Sequence, residues 1–209
     1  MFGWLTDIMS QSLQFINGLV NNYGLSIIIF TLIIKFLLYP MTIKQTKSMK
    51  AMQDLQPELK KIQDKYKDDK QKQQEAMMKL YKDNNVNPAA GCLPMILTFL
   101  IIIPLYRAIL NLDMGDSSFL WIDTLAEPDI ALVIINGLAM VAQTFISQKY
   151  TAPGGQSNLM LWIMPIMIIF VGFSLPAGVL IYWLISTVFT VVQQVLINRD
   201  PDLKGVSEG

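Results

Sequence analysis

The sequence predicts an all-α polytopic membrane protein: five transmembrane helices, a cytoplasmic helical hairpin between the first and second, and an N-terminal interfacial helix. Three observations predict this. Several apolar runs approach 20 residues, enough to cross a hydrocarbon core of ~30 Å at a rise of ~1.5 Å per residue. Composition agrees, because 53% of the chain is apolar and the mean hydropathy is +0.42, which places it in the membrane class. The formal net charge is zero, yet charge is segregated along the chain: residues 44–88 hold eleven Lys and seven acids, whereas 113–129 hold five acids and no base.

Residues 1–21 contain no Lys or Arg and so lack the basic start of a secretory signal. Trp4, Leu5, Ile8, Met9, Phe15, Ile16 and Leu19 recur at helical spacing, which predicts an amphipathic helix lying in the interface. The spans follow at 22–43, 91–112, 130–148, 159–175 and 177–197, with Pro94 and Pro104 in the second and Pro165 in the fourth. Pro176-Ala177-Gly178 reads as a tight turn that makes the last two spans adjacent and antiparallel. Between the first two spans, 44–88 reads as a hairpin: Leu55, Leu59, Ile62 and Tyr66 form one apolar stripe, and Met77, Leu80 and Tyr81 another. The polar stretch Lys67–Gln74 is expected to join them. An acidic extracytoplasmic loop at 113–129, a cytoplasmic loop at 149–158 and a short cytoplasmic tail at 198–209 complete the chain. By the positive-inside rule the N-terminus lies outside and the C-terminus in the cytoplasm of a cell (plasma) inner membrane.

Two charges fall in the expected spans: Arg107 lies near the outer end of the second, where it is expected to snorkel toward the acidic outer loop, whereas Lys35 lies far from either end of the first. Lys35 stands ten residues beyond Leu25 in an apolar run, roughly 15 Å into the bilayer. A cation at that depth costs about 2.5–3.5 kcal/mol on insertion scales, so it must be hydrated or paired. The five expected spans contain no Asp or Glu, which excludes an intramembrane ion pair and points to a wet site. Polar residues fall on matching faces. Thr31, Lys35 and Thr42 share one in the first span; Gln143 and Ser147 share one in the third. The last span offers Tyr182, Ser186, Thr190, Gln193 and Gln194, with Trp183 and Thr187 alongside, and the second offers Thr98. Together they predict a hydrated cationic groove. Each Ser, Thr or Gln taken alone could equally be interhelical hydrogen-bond glue.

Other chemistries are excluded or weak. There is no histidine and a single cysteine, Cys92, so His-based catalysis, a Cys/His zinc cluster and an internal disulfide are all ruled out. No nucleophile–base pair or nucleotide loop is present. The chain is expected not to be an enzyme and to need no cofactor or metal. From the residues alone, transport and insertion both remain open.

The ordered motifs Tyr39-Pro40-Met41-Thr42-Ile43-Lys44-Gln45-Thr46-Lys47-Ser48-Met49 and Leu55-Gln56-Pro57-Glu58-Leu59-Lys60 carry a resemblance. Asn87-Pro88, Gly91-Cys92-Leu93-Pro94, Pro176-Ala177-Gly178-Val179-Leu180-Ile181-Tyr182-Trp183 and Gln193-Gln194 continue it over nearly the whole chain. The set resembles the YidC/Oxa/Alb family of membrane protein insertases. That resemblance implies a groove open to cytoplasm and lipid, which receives the polar part of a nascent membrane protein while Lys35 attracts and hydrates it. It implies a hairpin whose Pro57, Glu58, Leu59, Lys60, Lys61 and Tyr66 contact incoming chains or partners. Ribosomes, the Sec translocon and membrane lipids are the implied associates, with no nucleic-acid specificity. The family typically carries arginine where this chain has Lys35. The twelve residues after Ile197 are expected to lack a long basic ribosome-binding tail. The rival from another class is a small anion or solute transporter using Lys35 as its binding site. Five unrepeated spans argue against that rival.

Overall fold

The structure is a computed structural model that describes residues 3–87, 93–112, 117–150, 166 and 169–199. Among these residues the regular secondary structure is helical, with one isolated antiparallel bridge between Phe119 and Ile122. Helix α1 (Gly3–Val20) buries Thr6, Met9, Leu13 and Ile16, spaced 3, 4 and 3 apart, so that one stripe faces the bundle. It packs on α2 (Tyr23–Leu37) and α6 (Leu93–Asn111). Its opposite face exposes Trp4, Ile8, Phe15 and Leu19. Asn21, at φ 51°, turns the chain, and the Asn22 side chain caps α2 by accepting from the Leu25 amide at 2.9 Å.

Helix α2 ends early. The hydropathy pattern placed one span through residue 43, but the helix breaks at Leu38 and resumes as α3 (Tyr39–Asp54), bent by 61°. Pro40 lies in the first turn of α3, where its ring and missing N–H are tolerated but cannot continue the preceding helix. At that angle α3 advances only about 0.7 Å per residue along the α2 axis, half the helical rise, and so slants across the bundle.

The hairpin follows from capping. Helix α4 (Gln56–Lys65) has Pro57 and Glu58 in its first turn. Asp69 caps α5 (Lys70–Asp83) by accepting from the Lys72 amide at 3.1 Å. The polar joint is therefore shorter than 67–74, because the cap at Asp69 starts the helix inside that stretch. Leu55 and Leu59 are buried where α4 packs, and Gln73 donates across the turn to the Gln63 carbonyl at 3.2 Å.

Helix α7 (Ile130–Tyr150) and helix α8 (Ala177–Arg199) pack along each other, and α8 also packs on α2. Asn136 links the first two: its amide donates to Leu132 O at 2.9 Å and to Leu180 O at 3.1 Å. By length and composition Ile130–Ser147 and Ala177–Ile197 can cross a membrane, α2 with α3 does so only as a bent pair, and Ile96–Asn111 is a shorter apolar helix. The expected span at 159–175 lies mostly outside the described residues, and among the described residues there are two candidate spans, or three if the bent pair counts as one.

The close-packed end of the bundle is where α2, α7 and α8 begin. Leu13, Ile27, Leu105, Ile109, Leu125 and Leu180 are fully buried there. The Ala177 and Gly178 amides donate to Glu127 O and Leu125 O at 2.8 and 3.0 Å, which ties the 117–129 loop to α8. A Cβ on Gly24 would enter the Phe119 ring, so the same loop also sits against α2. A polar cavity lies toward the other end of the bundle.

Candidate functional site

A cavity of about 330 Å³ lies between the C-terminal half of α2, the first turns of α3, the start of α6 and the ends of α7 and α8. Its apolar wall is Ile34, Leu38, Met49, Leu97 and Ile101, and the rest is polar. Lys35 Nζ donates to Thr190 Oγ1 at 3.2 Å. The Thr190 hydroxyl in turn donates to the Ser186 carbonyl at 2.8 Å, so its lone pair is aimed at the ammonium group. An ammonium carries three N–H groups, and this bond uses one. Among the described residues no carboxylate lies within ion-pairing distance of Lys35. A half-buried cation held by one neutral hydroxyl still attracts an acceptor.

The remaining walls add donors. Gln45 and Gln193 line the cavity and are both buried, and the Nε2 of each has no hydrogen-bond partner among the described residues. Buried amides are ordinarily bonded, so these two stand ready for water or a guest. The Thr42 and Thr46 hydroxyls donate back to the carbonyls of Leu38 and Thr42, each at 2.9 Å. Ser147 donates to Gln194 Oε1 at 3.1 Å and so joins α7 to α8 at the cavity rim. On the apolar side Phe36 meets Phe189 edge to face, with ring centres 5.4 Å apart, one residue from each of Lys35 and Thr190.

Of the residues expected to form the groove, the structure brings together Lys35, Thr42, Thr98, Gln143, Ser147, Tyr182 and Thr190. Thr31 is fully buried one turn above Lys35, and its hydroxyl donates to the Ile27 carbonyl at 2.6 Å. Thr187 is buried and Trp183 packs against the apolar core, so neither is on the cavity wall. Ser186 contributes its carbonyl through Thr190 and not its side chain. The residues missed are Gln45 and Thr46 of α3, whereas Gln193 and Gln194, expected on the Tyr182–Thr190 face, do line the cavity.

The hairpin residues lie apart from the cavity. Pro57, Glu58, Lys60 and Lys61 are exposed, and Leu59 is buried. Tyr66 is half-buried, with Lys65 Nζ 5.2 Å above its ring. The Asp69 carboxyl is held below the usual carboxylate range by its hydrogen bonds with Lys72, chiefly that from the side chain.

Apolar helices around a cation-bearing polar cavity define a helical membrane protein with a polar cavity in its bundle. Residues 15–204 match the family described as the 60Kd inner membrane protein. The membrane protein insertase YidC of Fusobacterium nucleatum is 40% identical over 205 residues, covering 94% of this chain and 98% of that protein. The membrane protein insertase YidC of Geobacter sulfurreducens is 39% identical over 202 residues, or 95% of this chain, but the chain spans only 38% of that longer relative. Among solved structures, an active YidC insertase with its first transmembrane domain resolved aligns with a TM-score of 0.73 and 28% identity, over 92% of this chain and 46% of that one. This chain belongs to the 60Kd inner membrane protein family, the YidC/Oxa group. The transporter reading finds no support among these relatives.

Proposed function

We propose that this protein inserts nascent membrane proteins into the bilayer by receiving their polar segments in the Lys35 cavity. The observation that carries the proposal is the donor set: Lys35, Gln45 and Gln193 line one cavity and lack enough acceptors among the described residues. A polar segment entering hydrocarbon leaves unsatisfied groups that cost several kcal/mol each. A cavity that supplies donors partway across shortens that barrier, and the cation adds attraction for acidic side chains. The insertase names of the relatives support the same reading.

In this account the chain crosses the membrane five times, with its N-terminus outside and its C-terminus in the cytoplasm. The α2–α3 pair would form the bent first span, and α1 would lie in the outer interface on its Trp4–Leu19 face. The α4–α5 hairpin offers exposed Pro57, Glu58, Lys60 and Lys61 to incoming chains, the ribosome or the Sec translocon. No nucleotide or metal takes part.

The test is reconstitution. Vesicles containing the purified protein should protect the translocated tail of a single-span substrate from added protease, and empty vesicles should not. Equal protection in both would overturn insertion. Release of a trapped small anion without tail protection would establish the transporter instead.

A further inference from the structure

The turn 119–122 takes no part in the cavity, yet it is built to hold two apolar side chains outward. Phe119 and Ile122 exchange backbone hydrogen bonds at 2.9 Å, and Ile122 is buried. Between them Leu120 adopts φ 55°, a left-handed conformation that a leucine rarely takes. The result is Leu120 at 76% exposure beside Trp121 at 52%. A positive φ at the first central residue closes this tight turn, and it leaves both side chains directed away from the protein.

Phe119 sits on Gly24 at the start of α2, and Leu125 and Glu127 accept from the first amides of α8. Asp129 caps α7 through the Leu132 amide at 2.6 Å and also accepts from Trp121 Nε1 at 3.3 Å. The turn is thus fastened to the starts of α7 and α8, the two helices long and apolar enough to span, at one face of the bilayer. Directly below Asp129, Ile130, Ile134 and Leu138 expose an apolar stripe at four-residue spacing along α7. Trp121 is tethered at the head of that lipid-facing stripe, with its ring N–H already satisfied by a carboxylate. Such an arrangement suits an amphipathic ring at the headgroup–acyl boundary.

We propose that Leu120 and Trp121 form a membrane anchor, inserted into bilayer lipid at the face where α2, α7 and α8 begin. The anchor rests on α7 and α8 spanning the membrane and not on the insertase activity. It fixes the depth of the loop that clamps three helix starts, at the end of the bundle opposite the Lys35 cavity.

The test uses Leu120→Cys in a Cys92→Ser background, where the introduced thiol is the only one, labelled with an environment-sensitive fluorophore. The protein is reconstituted in phosphatidylcholine vesicles with iodide on both membrane faces or with a nitroxide on a shallow acyl carbon. The expected result is blue-shifted emission, quenched about two-fold by the lipid nitroxide and protected from iodide, as fits a depth of ~5–10 Å. Lys67→Cys on the exposed hairpin should show the opposite pattern. If Leu120→Cys does not fold, Trp121→Cys gives the same readout from the neighbouring position. Quenching by iodide alone would overturn the anchor in favour of a solvated loop. Protection from both quenchers would overturn it in favour of a protein cover.

Discussion

Gly178 gives a quantitative test of the packing at the closed end. It is the second residue of α8, and its amide donates to Leu125 O at 3.0 Å. A Cβ there would lie 3.0 Å from Ile109 Cδ1, 3.1 Å from Ile27 Cδ1 and 3.5 Å from Leu125 O. In Gly178→Ala the two close atoms are isoleucine tips that need to shift by only tenths of an ångström. The strain is offset by the helix-propensity gain of about 1 kcal/mol, so the variant should match the parent within about that amount. Gly178→Val is different. Its two added methyls reach past Cβ toward Ile27 and Ile109, which are both fully buried and have no free volume to move into. Overpacking of that kind costs about 1–3 kcal/mol. Thermal unfolding in detergent, followed by circular dichroism, should rank parent and alanine together and valine clearly lower. Insertion per folded molecule should not change, because this seam is at the far end from Lys35. A valine variant as stable as the parent would refute the three-way contact among α2, α6 and α8.

Two further outcomes follow from the polar groups. Gln193→Leu removes a buried amide nitrogen that has no partner among the described residues, so it should cost less than about 1 kcal/mol or even stabilise, while insertion falls; unchanged insertion would show that this amide does not serve the substrate. Asp69 has a depressed carboxyl pKa, so its stabilising charge is fully present above the ordinary carboxylate value of about 3.9 and is lost as pH falls through the lower folded value. Exchange of the Lys72 amide, measured relative to α7 in the same sample, should therefore accelerate in that acid range. Asp69→Ala should show the faster exchange already at neutral pH.

Periodicity made the helices and the Lys35 face legible, since a single charge in an acid-free apolar run has few physical solutions. The break at Leu38 was not legible, because a proline after an apolar run fits a kinked span as well as a new helix, and hydropathy does not register a 61° bend. That one angle explains why Gln45 and Thr46 were assigned to a charged hairpin although they line the cavity. Lys44, Lys47 and Lys50 dominate the local charge and mask the two residues lying on the other face of α3. Trp183 and Thr187 failed for a simpler reason: each follows a cavity-side or Thr190-side position by one residue, and 100° of helix rotation carries it to the core side. Thr31 shows the glue alternative at work, with its hydroxyl consumed by the preceding turn.

The central claim is that the positive charge at position 35, in a polar cavity, drives insertion. A carboxylate brought to ~4 Å from this ammonium gains up to about 4 kcal/mol at an effective dielectric of 20. Losing even a third of that slows a rate about tenfold. The direct measurement is insertion of a single-span substrate with an acidic translocated tail into vesicles carrying Lys35→Arg, Lys35→Ala or Lys35→Glu at equal folded protein. Arginine should insert like the parent, alanine about tenfold more slowly, and glutamate slowest of all. Alanine inserting as fast as the parent would contradict the account, because the cavity would then work without its charge.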